Sequence, residues 1–290
     1  MCGLVGSVAK NEAGMIVKSP RGLSILLLFV VLAAVSYAWY LFSELQSQSN
    51  TGLHGPVIME SGVIPALILG LPLMGVAMGF DLVAGGLELN QFSLLLSYPL
   101  SRLQLFVGML MGRFIVVVTP MYVSSALLLL LFAGPLSANL IGDFVVTMLV
   151  LSVGALFWLG LCAAISAFAR KTLPSLVYCF TAVFVLAYQS IDLIPNAIVS
   201  LLVGSLVVPD QGWPDSPVYA MQVCVTQLLP GNQLWATHSL FAARSVSGWL
   251  SMPANDLGIG FPVYVLMLYL GISTTLLVAS AAYHFMKVAM

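Results

Sequence analysis

The sequence predicts an all-α integral membrane protein: six transmembrane helices, an amphipathic amino-terminal helix in the membrane plane, a cytoplasmic helical hairpin between spans two and three, and a long outer region between spans five and six. Three observations carry this prediction. First, 61% of the 290 residues are hydrophobic and only 7% are charged, with a mean hydropathy of +1.08. Soluble domains carry about 25% charged residues, so this chain has too few polar groups to cover a water-facing surface. Second, the few charges are separated by long charge-free runs. Third, the basic residues gather on one side of the resulting topology. The composition excludes a soluble enzyme, a nucleic-acid binder and a disordered chain.

Residues 1–21 come first. In the stretch 4–18, LVGSVAKNEAGMIVK, helical spacing puts Leu4, Val5, Val8, Met15 and Ile16 on one face and Ser7, Lys10, Asn11 and Lys18 on the other. A basic amphipathic segment directly before a span lies in the membrane plane. Glu12 falls on the apolar side of this helix. Ser19-Pro20-Arg21-Gly22 then breaks it and turns the chain into the membrane.

Residues 22–290 form the transmembrane domain. The charge-free runs are Gly22–Ser43, Ser61–Phe80, Phe114–Gly142, Phe144–Ala169, Thr172–Ile191 and Leu257–Met286. A bilayer core about 30 Å thick needs about 20 apolar residues per helix, and helices satisfy their own backbone in lipid. Spans are therefore expected at 22–43, 61–82, 106–133, 142–168, 173–194 and 259–283. Strands of a membrane barrel would alternate in polarity, whereas these runs are continuously apolar.

With six spans both termini share one side. Lys10, Lys18, Arg21, Arg102, Arg113, Arg170, Lys171 and Lys287 fall on that side and only Arg244 falls opposite, so the positive-inside rule makes both termini cytoplasmic. The expected location is the plasma membrane, with lipid as a partner. Leu193–Val208 is too short to span and contains Pro195. It opens an outer region, 193–258, that reads as interfacial or re-entrant, with Trp213, Trp235 and Trp249 at headgroup level. No signal peptide is expected, because the first apolar run is too long and lacks a cleavage-like end. Of the four cysteines only Cys224 is expected outside, so no internal disulfide forms there.

The most informative segment connects spans two and three. Asp81 and Gly85-Gly86 stop span two at the interface, and from Leu87 the pattern becomes helical and amphipathic. Pro99 ends or kinks this helix. Ser101 stands as an N-cap for the helix leading into span three, with Arg102 at the headgroups. A proline-broken apolar hairpin on the cytoplasmic face exposes hydrophobic surface that a partner must cover.

At these residues the sequence resembles the type-2 permeases of ATP-binding-cassette (ABC) transporters, the exporter-like group. Leu94-Leu95-Leu96-Ser97-Tyr98-Pro99 and Ser101-Arg102 match that family's Leu-rich run, Ser-Tyr-Pro and Ser-Arg; Glu88 sits in its acidic run and Gly108 at its later glycine. Asn90-Gln91 replaces its Gly-Thr and Met109 its lysine. The resemblance implies that residues 87–102 form a coupling helix seated in a cytoplasmic ABC ATPase subunit, with Glu88, Leu94, Leu95, Tyr98, Pro99 and Arg102 carrying the contact. It implies a connecting helix at residues 1–21 and a second permease copy or a related permease beside this one. ATP and Mg are expected on the partner only, because no G-x-x-x-x-G-K-[ST] occurs in this chain.

Other chemistry is not supported. Asp81, Asp143 and Asp192 fall near span ends, where solvent reaches them, which argues against a buried titratable relay. A path lined by apolar groups suits a hydrophobic or amphipathic substrate. His54, His238 and His284 are far apart and no H-E-x-x-H occurs, so neither a metal site nor a catalytic site is expected. The fourteen methionines read as packing filler. Gly75-x-x-x-Gly79 permits close helix approach, within one subunit or between subunits. The expected function is an ATP-driven export permease that does no chemistry of its own; the alternative is a membrane scaffold or anchor subunit of a larger enzyme complex.

Overall fold

A computed structural model describes residues 2–20, 64–89, 101–132, 138–188 and 263–288, with Phe92 and part of 22–38. All secondary structure among the described residues is helical. The elements are α1 (Cys2–Val17), α2 (Ile64–Gly79), α3 (Ala84–Glu88), α4 (Arg102–Phe132), α5 (Ala138–Ala169), α6 (Thr172–Val183) and α7 (Val263–Val288). A wider π-helical turn, Phe184–Tyr188, continues α6.

Among the described residues, four helical stretches are long and apolar enough to cross a membrane: Ala66–Glu88, Arg102–Leu130, Ile141–Ala169 and Val263–Lys287. Leu4–Val17 and Gly22–Val31, bent by 77° at the break, make a fifth if counted as one span. The expected spans at 61–82, 106–133, 142–168 and 259–283 correspond to the first four. Those at 22–43 and 173–194 run partly outside the described residues, and the outer region 193–258 lies wholly outside them. The bend itself falls at the expected Ser19–Gly22 turn, where the Ser19 N–H and hydroxyl both donate to the Ile16 carbonyl, at 2.9 and 2.6 Å.

The core is organised around α5, which packs against α7, α2, α6 and α4. Its sequence is apolar all round, as suits a helix that meets other helices on one side and lipid on the other: Met148, Leu151, Trp158, Cys162 and Ala163 are fully buried along it, while Ile141, Val145 and Leu149 are exposed. The closest approach is made by α2. A Cβ on Gly75 would lie 2.6 Å from the Trp158 Cβ, and one on Gly79 would lie 2.4 Å from the Cys162 Cβ. The small-residue pair therefore serves packing inside this chain, letting two backbones meet where lipid offers no competing hydrophobic drive.

A second glycine pair does the same for α1. On α4, a Cβ at Gly108 would lie 2.7 Å from Val8 Cγ1, and one at Gly112 would lie 2.7 Å from the Ala9 carbonyl oxygen. This settles which face of α1 is packed. Ala9 is buried, and Val5, Val8, Glu12 and Ile16 turn inward with it, while Leu4 and Met15, expected on one apolar face with Val5, Val8 and Ile16, are 45% and 56% exposed. The face is rotated because the glycine groove accepts small and β-branched residues and because Glu12 has a partner inside.

Helix α4 begins as its sequence anticipates. The Gln104 N–H donates to the Ser101 hydroxyl oxygen at 3.2 Å and the Ser101 N–H donates to Gln104 Oε1 at 3.0 Å. This reciprocal capping box satisfies two amides that the helix itself cannot. At the α5–α6 turn Arg170 adopts φ of 56°, the left-handed conformation that closes helices and that glycine adopts most readily.

Gly75→Val should destabilise the folded protein by about 1–3 kcal/mol, the usual cost of overpacking a tight core. Thermal unfolding of the detergent-solubilised protein measures this, and an unchanged midpoint would contradict the close approach of α2 and α5.

Candidate functional site

About three turns into α4, Arg113 is only 9% exposed. A charged side chain inside a membrane helix costs about 2.5–3.5 kcal/mol on insertion scales, so its surroundings must compensate. They do so from three directions. Arg113 Nε donates to Glu12 Oε1 of α1 at 3.0 Å, and Nη1 donates to the Met78 carbonyl of α2 at 2.6 Å and to Asp81 Oδ1 just beyond it. The Glu12 and Asp81 side chains are 14% and 11% exposed. Asp81 is thus a buried ion-pair member, where the sequence suggested a solvated boundary residue. Its burial follows from the cation that α4 brings to it.

Just past Asp81 the α2 backbone breaks, and other helices clamp the break. The Val83 and Ala84 N–H groups, opening α3, donate to the Ser166 hydroxyl oxygen of α5 at 3.1 and 2.9 Å. Ser166 is fully buried and caps a helix that belongs to another part of the chain. The Ser175 hydroxyl of α6 donates to the Phe80 carbonyl. At the end of α3, Glu88 accepts from the Thr172 N–H at 3.1 Å and from its hydroxyl at 2.5 Å. The carboxylate caps α6, whose preceding Lys171 offers no side-chain cap, and it meets the positive end of that helix.

Glu88 is exposed at the last position of the Ala66–Glu88 stretch, with Lys171 close enough to act on its carboxylate.

Arg102 Nη1 donates to the Met286 carbonyl near the end of α7, at 3.1 Å. Phe92 is 5% exposed; its ring lies edge-on to Phe285, with centroids 5.1 Å apart, and fills the space where a Cβ on Gly86 would stand. Phe285 also meets Phe106 of α4 at 5.5 Å. A cavity of 290 Å³ lies between these elements, its walls including Val8, Leu82, Phe92, Leu105 and Met109 and its charged floor Glu12, Asp81 and Arg113.

Of the six residues marked by the sequence, Glu88 and Arg102 are described and sit at one end of the bundle. Each touches a different helix: Glu88 reaches α6 and Arg102 reaches α7. Leu94, Leu95, Tyr98 and Pro99 lie outside the described residues. Arg113, Asp81, Glu12, Ser166 and Thr172 were not marked as site residues. The one signal that could have found the first three is Glu12, a lone carboxylate on an apolar helix face, which implies a buried cation elsewhere in the chain.

A family model described as ABC-2 family transporter protein matches residues 7–290. A comparison with curated proteins gives no match.

Arg113→Gln leaves two buried carboxylates without their cation and should destabilise the protein by about 3–5 kcal/mol, whereas Glu12→Gln, which keeps an acceptor for Nε, should have a clearly smaller effect. The ranking is read from thermal unfolding midpoints in detergent; equal midpoints for the two variants would contradict Arg113 as the shared anchor.

Proposed function

The chain belongs to the ABC-2 family of transporter proteins, and from that membership we propose that it is the membrane permease subunit of an ATP-driven exporter whose ATPase is a separate cytoplasmic subunit. The match across residues 7–290 is the observation that carries this reading. It agrees with the apolar span candidates. In this reading the chain crosses the plasma membrane six times with both termini cytoplasmic, α1 lies along the inner surface, and a second permease completes the transporter. On the same reading ATP and Mg are bound by the partner; the sequence contains no G-x-x-x-x-G-K-[ST] loop.

In the proposed mechanism residues 87–102 receive the ATPase, and both ends of this segment are fixed to helices of the bundle. A push on it reaches α6 through Glu88–Thr172 and α7 through Arg102–Met286. It reaches α5 through the Ser166 clamp on the start of α3 and α4 through the Phe92, Phe285 and Phe106 rings. Packed interfaces of this kind move as discrete rigid bodies, so nucleotide-driven closure of the ATPase pair would shift whole helices. Ion coupling is not required. A hydrophobic or amphipathic substrate fits a pathway whose walls are chiefly apolar.

Leu95→Asp and Tyr98→Asp should each abolish transport and release the ATPase from the purified complex while leaving membrane insertion intact. Gentle solubilisation followed by identification of co-purifying subunits tests this. An inserted Leu95→Asp variant that still transports would overturn the coupling assignment, and an intact complex lacking any ATPase would favour the scaffold function instead.

A further inference from the structure

Three chain segments meet at the end of the bundle where α4 begins and α5 and α7 finish. The Arg102–Met286 hydrogen bond brings the start of α4 to the last turn of α7. The rings of Phe168 and His284 meet at a tilt of 48° with centroids 3.9 Å apart, bringing the end of α5 to the same turn. Arg170 and Lys171 lie two and three residues past Phe168, and Lys287 follows His284 by one turn. All three are exposed. Both ion pairs recorded among the described residues belong to Arg113; Glu88, which accepts from Thr172, faces Lys171 electrostatically without forming an ion pair with it. The result, among the described residues, is a patch with more positive than negative charge.

Aromatic and aliphatic surface adjoins it. Phe168 is 59% exposed and Tyr283 is 60% exposed. Along α7, helical periodicity puts Leu268, Ile272, Leu276, Tyr283 and Lys287 on one face, and the four apolar members are 59–65% exposed. A track of exposed apolar side chains thus runs down the helix, passes a tyrosine and ends at Lys287, one turn past the His284 that meets Phe168 at the end of α5.

We propose that this end of α7 holds an anionic phospholipid, with the phosphate headgroup between Lys287, Lys171 and Arg170 and an acyl chain along Leu276, Ile272 and Leu268. Charge complementarity selects the occupant, since basic clusters at a membrane edge attract anionic headgroups and exposed tyrosine suits the headgroup level. A soluble protein partner would account for the charges but not for the apolar track that continues from them. The inference rests on the membrane-embedded reading of α7 and is independent of which ATPase drives the transporter.

The test is native mass spectrometry of the detergent-purified protein titrated with dioleoyl-phosphatidylglycerol or dioleoyl-phosphatidylcholine. The wild type should retain phosphatidylglycerol in preference to phosphatidylcholine. Lys287→Gln should weaken that retention roughly 5-fold, and adding Lys171→Gln should weaken it by a further factor of roughly 5, from the usual attraction of one basic side chain to an anionic surface. Lys10→Gln with Lys18→Gln, which removes equal charge from α1 and the turn after it, should leave it unchanged. Equal retention of the two lipids by the wild type, or undiminished phosphatidylglycerol binding by the double variant at an unchanged melting temperature, overturns the proposal. So does loss of a co-purifying ATPase with lipid retention intact, which would make the patch a protein contact. Failure to find any ATPase, with lipid selectivity preserved, would count against the proposed function and not against this site.

Discussion

One guanidinium joins three parts of this molecule. Arg113 is carried inward by α4 and meets Glu12 of α1, the Met78 carbonyl of α2 and Asp81 in the link to α3. Each acceptor alone would be insufficient: a cation buried in apolar surroundings needs several hydrogen bonds to offset the water it has lost. The requirement fixes register as well as contact. Glu12 reaches Arg113 only if α1 lies in the groove over Gly108 and Gly112, and Asp81 reaches it only if α2 ends where it does. A sliding of α1 along α4 by one turn would separate the pair and leave both ions without partners.

The neighbouring break between α2 and α3 follows the same logic at lower charge. Interrupting a helix leaves backbone N–H and C=O groups without partners, and apolar surroundings make that costly. Hydroxyls from two other helices supply the missing partners, Ser166 for the amides of Val83 and Ala84 and Ser175 for the Phe80 carbonyl. The break is consequently a built joint. It leads from α2 into α3 while tying the junction to α5 and α6.

These two features divide the polar groups of a very apolar chain by task. Arg113 is the cation spent inside, where it organises packing. Arg102, Arg170, Lys171 and Lys287 stay at the end of the bundle, where Arg102 donates to the Met286 carbonyl and the other three are exposed. Glycines divide similarly: Gly75 and Gly79 admit Trp158 and Cys162 of α5, whereas Gly108 and Gly112 admit α1. In lipid, close backbone approach replaces the hydrophobic drive as the source of helix association, so the positions of the glycines determine which helices become neighbours.

Much of this was readable without coordinates, for reasons that are local or compositional. Bilayer thickness converts run length into span candidates, so α2, α4, α5 and α7 follow from the spacing of charges. The Ser101 cap follows from a four-residue pattern, and family membership from a short Leu-rich Ser-Tyr-Pro segment together with the topology. The partners of the buried polar groups were not readable. Nothing in the local pattern says that Glu12 faces Arg113, over a hundred positions away, that Asp81 is desolvated, or that Glu88 caps α6 instead of standing free. Nor could the pattern decide that Ala9, and neither Leu4 nor Met15, enters the packed face of α1. Such pairings are set by which helices adjoin and at what register, and these are decided by the shape of glycine grooves and the need to neutralise one buried cation. Both are properties of the assembled bundle.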